Sequence, residues 1–445
     1  MTDLLQLCPD SLDLSANAVA RHDGKIVFVR DALHGELVNA RIVRRKPRFD
    51  VAQTESILRE SNQRVQPPCP HFGVCGGCSM QHLAPAAQLA IKQRVLEDQL
   101  KHLGNVRPET VLRPLAGPTS GYRYRARLSA RFVFKKGTAL IGFREKGASY
   151  VADMTSCHVL PKAASDLLLP LRELLNGMIL KQRIPQIELA IGEAGPQGRD
   201  IRIALVFRHM EPLPPTDIEA IRQFAAEHHV QAWLQPKGPE TITPLDPADA
   251  QLSYRLPEYN LTMPFLPADF TQVNMAMNRA MIHQALTLLE PQAGETIADL
   301  FCGLGNFSLP IARSGAHVTG IELSETLVQR AGEGARNNNL AENTSFIARN
   351  LFKIDGDDWA GFGRFDKLLI DPPREGAMEV CTAIAQGPKE ARPARIVYVS
   401  CNPATLARDA GLLVHEGGYR LREAGIVNMF PHTSHVESMA RFERV

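Results

Sequence analysis

A cysteine at the end of a buried strand is placed to do chemistry, and Cys401 in the stretch RIVYVSCNP stands at such a point. Ile396 to Val399 are apolar and mostly β-branched, which reads as a buried strand, and Asn402-Pro403 forbids its continuation. In open parallel α/β sheets ligands bind outside the carboxyl ends of the strands, so a thiol there faces a cleft. Two readings stay open at this point, a nucleophile or a packed cysteine, because free cysteine is among the most buried residue types. KLLIDPPREG ends another strand in Asp371-Pro372-Pro373, a rigid loop whose prolines lack amide hydrogens and which holds a carboxylate or carbonyl toward the same cleft. GIVNMFPHTSHVESMARFERV closes the chain with a loop rich in His, Thr and Ser, then Glu437 at the start of a last strand. Beside a thiol, that glutamate is a candidate general base.

A second set of sulfurs lies far upstream. Cys69, Cys75 and Cys78 follow C-x5-C-x2-C inside the Gly-rich loop HFGVCGGCSM, and Cys157 in TSCHVL is the remaining cysteine of that region. Four thiolates suit tetrahedral zinc or an iron–sulfur cluster, and spacing does not separate the two. Composition makes a disulfide reading weaker. With 44% hydrophobic and 22% charged residues in 445, the chain is an ordinary globular composition of about two to four domains. No run approaches the length of a bilayer span, and MTDLLQLCPD lacks a basic n-region and an apolar h-region, so a cytoplasmic location is expected, where thiols stay reduced.

Three units position these residues. Residues 1–61 alternate apolar and polar residues in short antiparallel strands, a small β-barrel by expectation, with Arg41, Arg44, Arg45, Lys46 and Arg48 clustered and no acid among them. Such a run suits phosphate contact or, alternatively, a charged edge strand in water. Residues 62–268 hold the four cysteines, a helix over about 85–103 that is free to pack on either neighbour, and GYRYRARLSARFVFKK. There Tyr122 and Tyr124 alternate with Arg123, Arg125 and Arg127, with Arg131, Lys135 and Lys136 beyond, a mixture fit for phosphates and stacked bases. The alternative is a strand with its aromatic face in the core. Between 161 and 269 helices and strands are legible, but no chemistry is.

From about 269 to 445 strand and helix alternate. A helix over 273–289 leads to the strand TIADLF, a Gly-x-Gly turn in FCGLGNFSL and a second strand, HVTGIEL, ending in Glu322. An acid there, some 20 residues past the glycines, accepts hydrogen bonds from ribose hydroxyls, which implies an adenosine-type cofactor. DLFCGLGNF resembles the turn of class I S-adenosylmethionine (SAM) methyltransferases rather than a dinucleotide fold.

Together, DLFCGLGNFSL, FTQVN, DPPREG, VSCNPATLARD and MFPHTSHVE resemble the RNA uracil-5-methyltransferase family over about 270–445. The basic N-terminal unit and the four cysteines resemble its bacterial branch that makes 5-methyluridine in 23S ribosomal RNA. That resemblance implies a multidomain α/β and β architecture: an OB-like TRAM barrel (1–61), a central α+β iron–sulfur and RNA-contacting domain (62–268) and a Rossmann-like class I SAM methyltransferase domain (269–445). It implies a [4Fe–4S] cluster on Cys69, Cys75, Cys78 and Cys157, a SAM site lined by Gln272, Phe301, Asn306, Glu322, Asn350 and Asp371, Cys401 as nucleophile and Glu437 as base. The cysteine would add to uracil C6, and a helix starting near Ala404 is expected to lower its pKa. Competing readings are the transfer-RNA branch, an adenine amino-methyltransferase, which also uses an Asp-Pro-Pro loop but needs no cysteine, and a non-catalytic RNA-binding assembly factor. Methylation that survives Cys401→Ala would favour the adenine enzyme, and no methyl transfer to RNA at all would favour the assembly factor.

Overall fold

The computed structural model describes residues 4–13, 17–194, 200–247 and 251–445, and three large sheets organise them. The first has the spatial order Leu4–Leu7, Leu37–Arg45, Phe49–Arg59, Lys25–Arg30, Ala18–His22, Ser11–Leu12. Its period-2 alternation turns Ala18, Ala20, Val27, Val29, Val38, Ala40 and Ala52 onto one buried face. The end strands Leu4–Leu7 and Ser11–Leu12 are short and not hydrogen-bonded to each other, so among the described residues the expected barrel stays open at that seam. Folding also supplies acids that the local sequence lacks. Glu55 pairs with Arg41, and Asp50 lies 3.8 Å from Arg45, which leaves Arg44 and Arg48 exposed without an acid partner among the described residues.

The second sheet runs Thr243–Pro244, Gln231–Gln235, Asp200–Arg208, Gln186–Ala194, Arg125–Val133, Thr138–Gly142. Helices Leu168–Gly177 and Pro215–Glu227 pack their apolar stripes, Leu168, Leu171, Leu175 and Ile221, Phe224, into its core. Here the structure corrects the reading of GYRYRARLSARFVFKK as an RNA-stacking face. Tyr122 is buried and donates its hydroxyl to the Pro431 carbonyl at 2.8 Å, and Arg125 donates to the Pro267 carbonyl at 2.6 Å and to that of Asp269. Both satisfy buried backbone acceptors, a demand that outranks solvent exposure. Arg131 and Lys135 remain exposed on the surface.

The third sheet carries the candidate chemistry. Its eight strands run Thr344–Ala348, His317–Glu322, Thr296–Leu300, Lys367–Ile370, Arg395–Ser400, Glu437–Arg444, Tyr419–Val427, Thr110–Val111. The first five are parallel, and Glu437–Arg444 is antiparallel to both its neighbours. Strand Thr110–Val111 comes from the stretch assigned by sequence to the central unit, and so does helix Pro85–His102. That helix buries Leu96 and Leu100 in the same core as Leu406, Ala407 and Ala410 of helix Pro403–His415. Gly104, just past its end, lets the two backbones touch: a Cβ there would lie 2.3 Å from the Ala407 carbonyl. No helix among the described residues is long and apolar enough to cross a membrane.

Candidate active site

Cys401 and Glu437 meet because of strand register. Arg395–Ser400 is buried apart from its first residue, and it stops where Asn402 caps the next helix, its Oδ1 accepting the Ala404 amide at 3.2 Å with Pro403 in the first turn. Ser400 pairs with Ser438 across the antiparallel neighbour, so the residue after one strand lies beside the residue that opens the other. Glu437 is 4% exposed, which means that its carboxyl sits in the protein rather than in water. Asp371, at the tip of the adjacent parallel strand, is close enough to act on both.

This corner disfavours negative charge. Burial, then the Glu437 and Asp371 carboxyls, push the Cys401 thiol up to about 11, against a smaller opposing pull from Arg374. The thiol thus lies above its ordinary value, not below it as expected from the helix N-terminus, and burial is the largest cause. Burial likewise raises Asp371 to about 7 and drives Glu437 well above the usual carboxylate range, with Asp371 adding to the latter.

The candidate cofactor residues sit along the same edge. Phe301, Glu322, Asn350 and Asp371 each follow or end one of four neighbouring parallel strands. The turn between them is tight: Gly303 and Gly305 have φ of 54° and 84°, and Phe301, at φ 63°, takes a left-handed conformation that few non-glycine residues adopt. Glu322 ties this turn down, its Oε2 accepting the Gly303 amide at 3.2 Å and its Oε1 the Ser324 amide at 3.0 Å. Each oxygen keeps a second lone pair for a ligand. Asn306 accepts from the Tyr254 hydroxyl at 2.8 Å and exchanges hydrogen bonds with Asn278 at 2.9 and 3.0 Å, so its amide is held from the protein side. Asn350 caps a short turn through the Phe352 amide at 2.9 Å, and Gln272 lies just ahead of helix Met275–Leu289.

Cys69, Cys75, Cys78 and Cys157 line one common cavity with Phe143, Met154 and Val159. Burial and the neighbouring thiols raise Cys75, and take Cys78 up to about 12. Gly77 donates its amide to Cys75 Sγ at 3.4 Å, and a Cβ on it would press on the Phe143 ring at 3.1 Å. Even so, among the described residues no group of three or more His, Cys, Asp or Glu side chains is gathered to hold a metal ion.

Sequence reasoning missed part of the thiol's surroundings. The cleft at Cys401 is also lined by Arg374, Ser434 and His435, and by Val95 and Gln99. Arg374 and His435 lay inside motifs already singled out, DPPREG and MFPHTSHVE, and their charge and ring were the available signals. Val95 reads in sequence only as part of a helix's apolar spacing and Gln99 carries no signal; both arrive from a helix some 300 residues upstream.

A parallel sheet with a glycine turn, an acid on the next strand tip and a cleft at the same edge has the architecture of a SAM-dependent methyltransferase. Comparisons with known proteins narrow the class. Residues 253–445 match the family described as tRNA (Uracil-5-)-methyltransferase. The chain is 58% identical over 435 residues to the 23S rRNA (uracil(1939)-C(5))-methyltransferase RlmD of Bordetella avium, spanning 98% of this chain and 90% of that one. It is 57% identical over 444 residues to the protein of the same name from Cupriavidus pinatubonensis, spanning 98% and 94%. In fold it is similar to the Pyrococcus abyssi tRNA (uracil-54, C5)-methyltransferase solved with S-adenosyl-L-homocysteine, with TM-score 0.74 at 23% identity over 98% of this chain and 100% of that one. The chain belongs to the RNA uracil-5-methyltransferase family.

Proposed function

We propose that this chain methylates C5 of a uridine in 23S ribosomal RNA, using SAM and giving 5-methyluridine, and that the uridine is number 1939, for which its relatives are named. The observation that carries this reading is the pairing of Ser400 with Ser438, which sets Cys401 against Glu437 at the sheet edge that also holds Glu322. A cytoplasmic location follows from that substrate.

Uracil C5 is too weak a nucleophile to be alkylated directly. Cys401 Sγ gives its proton to solvent at the mouth of the cleft and adds to C6, and the resulting enolate places electron density on C5. SAM would supply an electrophilic methyl group to C5 and leave as S-adenosylhomocysteine, and Glu322 would hold its ribose hydroxyls while Gln272, Phe301, Asn306, Asn350 and Asp371 would line the rest of the site. Glu437 then takes the C5 proton, the C6–S bond breaks, and the thiolate leaves. Base help of this kind contributes about 10²–10⁴ in rate. The exclusion of water that raises the carboxyls also makes Glu437 a strong base once ionised.

Cys69, Cys75, Cys78 and Cys157 are the proposed ligands of a [4Fe–4S] cluster. Four thiols around one apolar cavity suit it in number and in ligand type. Methyl transfer moves no electron, which supports a structural role. The exposed Arg44, Arg48, Arg131 and Lys135 are the proposed phosphate contacts. The test of the reaction is a 23S RNA fragment carrying 5-fluorouridine at the target, where no proton can leave. A denaturant-resistant protein–RNA adduct should form through Cys401 and vanish in Cys401→Ala; normal turnover on ordinary RNA with no adduct would overturn the reading.

A further inference from the structure

The loop at 428–436 ends on Glu437, and its shape is imposed from outside. It leaves strand Tyr419–Val427 and returns in register at Val427 opposite Glu437. In between, His432 adopts φ 65°, and the carbonyls of Phe430, Pro431 and His432 all accept from distant parts of the chain. Two side chains of helix Pro85–His102 take part in the holding. Gln88, 1% exposed, accepts the His432 amide at 2.9 Å, while its Nε2 donates to the Met80 and Leu83 carbonyls at 3.0 and 2.8 Å. Lys92, 2% exposed, donates to Asn428 Oδ1 at 2.9 Å and to the Phe430 carbonyl at 2.8 Å.

Lys92 is the less ordinary of the two. A buried ammonium is costly unless paired, and the hydrogen bonds that hold this one among the described residues go to neutral oxygens. Its partners are an amide oxygen and a carbonyl, both on the loop that leads to Glu437. Burial alone lowers it to about 7, as such surroundings dictate. Core packing is served by Leu96 and Leu100 one and two turns further along the same helix, on the side toward helix Pro403–His415. The helix is therefore divided: its second half supports the element that follows Cys401, and its first half grips the loop that precedes Glu437.

We infer that Lys92 and Gln88 are positioning residues for the proton-removal half of the reaction, holding the 428–436 loop so that Glu437 stays aimed at the carbon opposite Cys401. This rests on the reaction proposed above. Neither side chain touches the reacting atoms; both act through the loop. Thiol addition and methylation, which depend on the Arg395–Ser400 strand and its following helix, should proceed without them. Breakdown of the methylated adduct should not.

The test uses the full chain with ordinary target RNA and SAM, quenched in denaturant during a single turnover. Lys92→Met and Gln88→Leu should each accumulate protein–RNA adduct that already bears the methyl group. Their kcat should fall by about 10- to 10²-fold, the scale on which small misplacements of a catalytic group act, with KM for RNA little changed. Asn428→Ala, which removes Lys92's side-chain acceptor from the loop side, should do the same and serves if Lys92→Met fails to fold. A loss of stability alone would slow every step and trap nothing, so reduced turnover without adduct, or wild-type turnover, would overturn the inference. Glu437→Gln is the control. If it traps methylated adduct and the three variants do not, the positioning role fails while the reaction stands; if Glu437→Gln traps none, the proposed reaction itself fails.

Discussion

Alkylation of Cys401 should climb with pH and show no plateau through the range in which an ordinary thiol has already levelled off. With the thiol at about 11, about one molecule in 10³ carries the thiolate at pH 8 and about one in 10² at pH 9. Iodoacetamide reacts with the thiolate, so the rate constant should rise about tenfold for each of those pH steps. The sign is fixed by the surroundings: burial and two carboxyls disfavour the anion, and one guanidinium favours it. Glu437→Gln removes a carboxyl beside which the thiolate must form, and should shift the profile to lower pH. Arg374→Gln should shift it upward. The assay is mass spectrometry of the Cys401 peptide after timed alkylation, since the exposed Cys8 will label as well. A profile flat from pH 8 upward would refute the reasoning and mean that the N-terminus of helix Pro403–His415 outweighs desolvation after all.

Three further outcomes are expected. Gly104→Ala puts a Cβ 2.3 Å from the Ala407 carbonyl and should destabilise the chain by about 1–3 kcal/mol, read as a lower melting temperature; an unchanged melt would deny the close helix contact. Glu322→Gln should weaken SAM binding by about 1–3 kcal/mol, roughly 5- to 150-fold in Kd, measured by titration calorimetry on RNA-free protein, and equal affinity would remove Glu322 from the ribose site. Cys157→Ser should lower the iron bound per chain after anaerobic purification and bleach the protein's visible absorbance, whereas zinc in place of iron would eliminate the cluster assignment and leave the catalytic one untouched.

Local signals carried the C-terminal sheet well. Asn402-Pro403 ended a strand and began a helix as their chemistry requires, and the acid at Glu322 stood on a strand tip as the alternation indicated. Pairings that depend on distant chain were illegible. GYRYRARL reads as a surface stripe until Pro267, Asp269 and Pro431 are seen to need donors. The thiol's protonation followed the same pattern. Its helix is visible in sequence, but the burial that raises the thiol and the two carboxyls that add to it come from other strands.

Helix Pro85–His102 leaves the ribosome long before the partner it must join, since Pro403–His415 is encoded about 300 residues later. At translation speeds of about 5–20 residues per second, its apolar face waits on the order of 15 to 60 seconds. During that interval Leu89, Val95, Leu96 and Leu100 have nothing to cover them, and the nascent chain is a natural client for chaperones. The same interleaving governs truncation. A fragment beginning near residue 269 would carry every motif of the methyl-transfer chemistry yet lack one wall of its own interior, and it should aggregate, while rejoining residues 85–115 to that fragment should recover solubility.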